Sequence, residues 1–142
     1  MYFEDFCLGL KWEMPAVLID KEQVFAFARD YDPLPLHSDE AYAKTTQFNG
    51  LVAPGVMTFM LVWAEFVKMN LWGDNMVAGQ STNIKWIHPV YVGDVLTGWI
   101  HISDAYRGHK PWGTVEYTVE VYNQQGVQVI LNQTKMVIKA RC

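Results

Sequence analysis
Two side chains with complementary chemistry stand five residues apart in the segment Asp32-Pro33-Leu34-Pro35-Leu36-His37. Asp32 is a carboxylate that can accept a proton, and His37 is an imidazole that can give or take one near neutral pH. The two prolines between them have a preset φ, so ordering this segment costs little entropy. A stiff segment suits an acid and a base that must both stay within hydrogen-bond reach of one substrate. The same residues also fit a plainer role, with Asp32 ending the helix before it and His37 an ordinary loop side chain.

Gly55 is the second candidate. It opens the apolar run Val56 to Trp72, whose polar members are Thr58, Glu65, Lys68 and Asn70. The run has no internal glycine or proline and is too long for one strand, so it reads as a helix. Pro54 suits its start and Gly73 its stop. The free N–H groups and the dipole at such a start attract negative charge. An oxyanion formed from a carbonyl gains about 3 kcal/mol per donor in such a place. Taken alone, Gly55 equally fits close backbone packing.

These residues need a scaffold. A helix apolar almost all round is buried, and the run is too short, and too charged in its second half, to span a bilayer. Strands supply the wrapper. Lys11 to Ile19 is extended in character. Asp20 and Gln23 then frame a helix start, and Val24, Phe27, Ala28 and Tyr31 follow at helical spacing. Asp32-Pro33 ends that helix. The residues from Asp32 to Asp39 read as a loop, Asp39 to Thr45 as a short helix, and Asn49-Gly50 as a turn. After Gly73 the period becomes two. Strands are predicted at Met76–Ile87, Asp94–Ser103, Thr114–Asn123 and Val127–Ala140, with a hairpin turn at Asn123-Gln124-Gln125-Gly126. Leu96, Gly98, Ile100 and Ile102 share one face, as do Val115, Tyr117, Val119 and Val121. Short helices, one long apolar helix and an antiparallel meander make an α+β domain whose sheet wraps the long helix.

Composition narrows the functions. The chain has 142 residues, enough for one domain (1–142), and half of them are apolar. Its net charge of −4 argues against nucleic-acid binding. Cys7 and Cys142 form no metal or redox spacing. With no charged-then-apolar leader at Met1, the expected address is the cytoplasm, and the sequon Asn132-Gln133-Thr134 reads as chance. His88, His101 and His109 form no ligand spacing, and His37-x-Asp39 is too little for a metal. Met57, Met60 and Met69 read as core filler. Some of the six tryptophans (Trp12, Trp63, Trp72, Trp86, Trp99 and Trp112) are expected at a pocket or a subunit interface.

Asp32-x-x-Pro35-x-His37, followed by Phe48-x-x-Leu51-Val52-Ala53-Pro54-Gly55, resembles the MaoC-like hydratase family of hot-dog proteins, which includes R-specific enoyl-CoA hydratases. The family pattern is Asp-x-Asn-Pro-x-His, with a glycine some two dozen residues on that opens the hot-dog helix. Phe27-Ala28, the stretch Asp39 to Ala43, and Pro89-Val90-x-x-Gly93-Asp94 extend the resemblance, which runs roughly from Ile19 to Ala140. The family's Asn falls at Leu34, which has no side-chain hydrogen bond to offer. Members with the doubled proline, Asp-Pro-x-Pro-x-His, lack that Asn as well.

The resemblance implies a hot-dog fold and a hydratase or dehydratase of acyl thioesters, carried on CoA or an acyl carrier. It implies that Asp32 and His37 bind a water, and that the Gly55 N–H polarises the thioester carbonyl. It implies no cofactor and no metal, and a homodimer or dimer of dimers. Lys85, Arg107 and Lys110 are candidates to meet CoA phosphates, against the plainer reading of solvated surface charge. Two alternatives stand beside the hydratase. One is a non-catalytic acyl-thioester binding module, motivated by Leu34. The other is a hot-dog thioesterase, for which Glu65 is the only carboxylate on the long helix.

Overall fold
The structure is a computed structural model and describes residues 1–141. Cys142 lies outside the described residues. After a short 3-10 turn, Phe3–Asp5, the chain forms β1, Lys11–Leu18, and α1, Lys21–Tyr31. The capping expected at Asp20 is present: its Oδ2 accepts from Gln23 N at 3.1 Å. This satisfies one of the donors that a helix start leaves free. α1 ends at Asp32, whose φ of −152° has left the helical region.

The segment expected as a loop contains one turn of helix, α2, Pro35–Ser38. Pro35 stands at the first helical position, where a missing N–H costs nothing. Asp39 then caps α3, Glu40–Lys44, by accepting from Tyr42 N at 3.0 Å.

The long helix, α4, is Gly55–Lys68. It stops before the expected Gly73, because Asn70 takes φ 50° and breaks the helical path. Met57, Phe59, Val62 and Phe66 are buried. A fully buried side chain of this size contributes about 1.5–3 kcal/mol. The expectation of all-round burial is wrong on one side: Val56, Met60 and Val67 are exposed. Met60 is therefore not core filler, whereas Met57 is buried and Met69 packs against the core.

β2, Met76–Trp86, β3, Val95–Tyr106, β4, Trp112–Tyr122, and β5, Gln128–Lys139, complete the fold. All strand pairs are antiparallel, and the order across the sheet is β1-β3-β4-β5-β2. The predicted alternation holds: Leu96, Ile100 and Ile102 of β3, and Val115, Tyr117, Val119 and Val121 of β4, are buried against the helix layer. The result is the α+β hot-dog arrangement, a sheet curved over one apolar helix. β2 is an edge strand and is exposed along nearly its whole length. Its register on β5 shifts twice, near Ala78 and Ser81. Beyond the shifts it is pinned by buried Asn132, whose Nδ2 donates to Thr82 Oγ1 at 2.8 Å and to Asn83 O at 2.9 Å.

Candidate active site
The turn of α2 brings Asp32 and His37 together. The chain hydrogen-bonds to itself twice there, Leu34 N to Asp32 O at 2.8 Å and His37 N to Leu34 O at 3.0 Å. These bonds turn both side chains to one side. Asp32 Oδ2 then lies 3.2 Å from His37 Nε2.

The other ring nitrogen of His37 is held from behind. Nδ1 lies 2.6 Å from Val52 O. A carbonyl only accepts, so Nδ1 carries the hydrogen, and Nε2 is the nitrogen left to exchange protons. Val52 is fixed in turn, because its N–H donates to Leu36 O at 3.4 Å and it bridges to Tyr91. The imidazole is buried and cannot rotate without losing this bond, while Asp32 stays partly exposed.

A cavity of about 300 Å³ opens beside the pair. Asp32, His37, Gly55, Thr58, Trp86 and His88 are among its lining residues. All three expected site residues thus share one wall system, although Gly55 is 55 − 32 = 23 positions from Asp32. Among the described residues Gly55 N has no acceptor. The first N–H of α4 used inside the fold is that of Thr58, which bonds Pro54 O at 3.1 Å. Thr58 Oγ1 also donates to Gly55 O at 2.7 Å, which fixes the first peptide of the helix.

Trp86 explains why position 55 is glycine. A Cβ there would lie 2.7 Å from both Nε1 and Cε2 of the Trp86 indole. The close packing expected at Gly55 is present, and the same residue lines the cavity.

Thr58, Trp86 and His88 were not singled out for the site by the sequence. Trp86 is the last residue of β2 and His88 follows just past it, some thirty residues from Gly55, and no local pattern announces that approach. The three candidate cations do not line this cavity. Lys85 lines a separate cleft with Glu116 and Lys135, Arg107 pairs with Glu4 at 3.0 Å, and Lys110 sits 5.4 Å from the centre of the Trp112 ring. Glu65 is paired with Lys68 at 2.9 Å and does not line the cavity. No group of three or more His, Cys, Asp or Glu residues that could hold a metal ion occurs among the described residues.

Residues 9–125 match the MaoC like domain family. The chain belongs to this family. It is 30% identical over 109 residues to the (R)-specific enoyl-CoA hydratase of Aeromonas caviae, covering 76% of this chain and 75% of that protein. It is 27% identical over 140 residues to the Bacillus subtilis protein YdeM, described as uncharacterized, covering 98% of this chain and 99% of YdeM. The solved structure of a MaoC-like dehydratase from Rhodospirillum rubrum superposes with a TM-score of 0.90 at 25% identity, over 100% of this chain and 99% of that one. Membership accounts for the shared helix-and-sheet frame. Among the described residues no helix of this MaoC-like protein is long and apolar enough to cross a membrane.

Proposed function
We propose that this protein is a hydratase, or in the reverse direction a dehydratase, of acyl thioesters, built on one MaoC-like domain. The observation that carries the reading is the 3.2 Å approach of Asp32 Oδ2 to His37 Nε2 on the wall of a cavity that also contains Gly55. A carboxylate and an imidazole nitrogen this close, on the wall of one cavity, can both reach a single water lying beside them. Asp32 takes a proton from that water as its oxygen attacks C3 of a trans-2-enoyl thioester. His37 holds the water and assists delivery of a proton to C2. The double bond is replaced by a hydroxyl at C3 and a hydrogen at C2. Charge that gathers on the thioester oxygen meets the Gly55 N–H at the positive end of α4. The step needs neither metal nor organic cofactor.

Leu34 supports the second reading, a binding module without turnover. Leu34 is 54% exposed and apolar, so its side chain offers no hydrogen bond where the family has Asn. The site nevertheless fixes His37 through Val52 O, which favours catalysis. The thioesterase reading is the weakest, because Glu65 is tied to Lys68. The test is incubation with trans-2-enoyl-CoAs of short to medium chain while following loss of the conjugated double bond. Turnover that disappears in Asp32→Asn supports the hydratase. Binding without turnover supports the module, and release of free CoA thiol the thioesterase.

The exposed edge of β2 and the exposed Val56, Met60 and Val67 of α4 support a homodimer, or a dimer of such dimers. An unpaired strand edge and an exposed apolar stripe are each surfaces that a second copy can cover. Light scattering that returns a monomer would overturn this assignment. We place the protein in the cytoplasm, with no nucleic-acid or membrane partner.

A further inference from the structure
Gly55 offers a single backbone N–H to the carbonyl oxygen, and the residue packed against it is itself a hydrogen-bond donor. The pyrrole side of the Trp86 indole faces Gly55, with Nε1, Cε2 and Cδ1 the three nearest atoms to the place where a Cβ would stand. Nε1 is 2.7 Å from that point. A Cβ lies about 2.5 Å from the nitrogen of its own residue. Trp86 Nε1 is therefore no more than about 5.2 Å from Gly55 N. Two donors that share one oxygen, each at about 2.9 Å, stand at most about 5.8 Å apart. The two N–H groups are close enough to grip the same atom.

Three further observations point the same way. An indole N–H can only donate, and among the described residues that of Trp86 has no acceptor. The ring lines the cavity that holds Asp32 and His37, and it is 48% exposed, so a substrate can reach it. Its backbone is anchored in the ladder opposite Ile130 of β5, which keeps the ring at the mouth of α4.

We infer that Trp86 Nε1–H is a second donor to the substrate's carbonyl oxygen, acting together with the Gly55 N–H. The inference rests on the acyl-thioester reading above and adds to it a side chain that responds to charge on that oxygen. A pair of converging donors stabilises an enolate-like oxygen more than either donor alone, because both are already oriented when the charge forms. It also explains the size of the side chain at position 86. A smaller one would leave both Gly55 and the oxygen open to water.

The test is arranged so that binding and turnover are read separately. Butyryl-CoA carrying an isotope label at its carbonyl carbon is a saturated thioester with no double bond to hydrate. Bound to the intact protein, its carbonyl stretch should fall below the value in solution, as read by isotope-edited infrared difference spectroscopy. In Trp86→Phe, which keeps a ring and removes the N–H, the band should return part of the way towards the solution value. The indole N–H resonance of Trp86 in the unmodified protein should move downfield as butyryl-CoA is added, a measurement that needs no variant to fold. With crotonyl-CoA, Trp86→Phe should lose about 10²-fold in kcat with little change in KM. An identical carbonyl band in both proteins with butyryl-CoA still bound, or an indole resonance that does not move, overturns the inference. Absence of crotonyl-CoA turnover in the intact protein, with a carbonyl band that still depends on Trp86, overturns the hydratase reading and leaves the second donor standing. Failure of butyryl-CoA to bind at all overturns both.

Discussion
The two ends of α4 are built on opposite terms. At its first turn the side chains around Gly55 enclose a cavity, and two of their polar groups are spent on positioning, Thr58 on Gly55 O and His37 on Val52 O. At its last turns Phe66 meets the Tyr117 ring at 4.9 Å between centroids, and Phe6 and Trp72 close around the same ring at 5.9 and 6.3 Å. The Tyr117 ring is fully buried, and its hydroxyl has no hydrogen-bond partner among the described residues. One end gives up packing to place donors and acceptors. The other gives up a hydrogen bond to complete its packing. Substitutions at the first end should therefore change chemistry more than stability, and at the second end stability alone.

The largest effect is expected at Asp32. Asp32→Asn keeps the shape and removes the carboxylate proposed to accept the proton, and proton transfer by a positioned group is worth about 10²–10⁴-fold. Turnover of enoyl-CoA should fall about 10³-fold, while the melting temperature stays within a degree or two because Asp32 is partly exposed. Loss of cooperative unfolding in this variant would show that the loop is structural and would remove the contrast between the two ends.

Gly55→Ala should affect both quantities. The new Cβ enters the space of the Trp86 indole, 2.7 Å from Nε1, so the helix start or the ring must shift. Overpacking of this kind costs about 1–3 kcal/mol, and displacing the donor proposed for the oxyanion should cost about 10²-fold in kcat. A double-mutant cycle sharpens the point. With the ring removed in Trp86→Ala, Gly55→Ala should become stabilising by about 0.5 kcal/mol, since the unfolded chain then loses freedom with no clash. A change of sign in thermal or denaturant unfolding identifies the ring as the cause. The same destabilisation in both backgrounds would place the strain elsewhere.

At the far end the prediction concerns stability alone. Tyr117→Phe removes a hydroxyl that is buried without a partner, and should stabilise by about 1 kcal/mol with activity unchanged. The pH dependence has a definite sign. Burial pushes the Tyr117 hydroxyl well above the usual tyrosine range, because the phenolate form is disfavoured away from water. The unfolded chain ionises near pH 10 and the folded chain does not. Stability is thus intact below pH 10 and declines above it by about 1.4 kcal/mol per pH unit for this one group. Denaturant titrations between pH 9 and about 11.5 should show a shallower decline in Tyr117→Phe. Parallel curves for the two proteins would mean that the hydroxyl finds water in solution.

The two ends were also unequally legible in the sequence. The far end could be read well: Val115, Tyr117, Val119 and Val121 alternate at a period of two, and that period alone assigns them to one buried face. The site end was half legible. Asp32 and His37 are near neighbours in the chain and share a stiffened segment, so their pairing is local. The helical turn that joins them is hidden because Pro33 and Pro35 look like loop residues, while Pro35 in fact occupies the first helical position. Trp86 and His88 could not be found by spacing. They reach the cavity only because β2 lies at the edge of the sheet next to β5, and strand periodicity reports faces, not neighbours. The exposed stripe on α4 was hidden for a related reason. Val56, Met60 and Val67 are as apolar as the buried set, and the sequence does not separate a face covered within the chain from one left for another surface.

The smallest effect is expected at Leu34, where this chain departs from the family. Restoring the family's residue with Leu34→Asn would matter if a side chain at this position held the loop. Here the backbone of residue 34 does that work. Its N–H bonds Asp32 O at 2.8 Å, and its carbonyl accepts from His37 N at 3.0 Å and from Ser38 Oγ at 3.2 Å. The side chain faces solvent. An Asn in its place adds no partner to the 3.2 Å pair of Asp32 and His37 and disturbs none of those bonds. Leu34→Asn should leave kcat within about twofold and stability within about 0.5 kcal/mol, as exposed positions do. A tenfold rise in kcat would mean that the Asn swings inward to hold the water, and that backbone positioning at this end of α4 is incomplete.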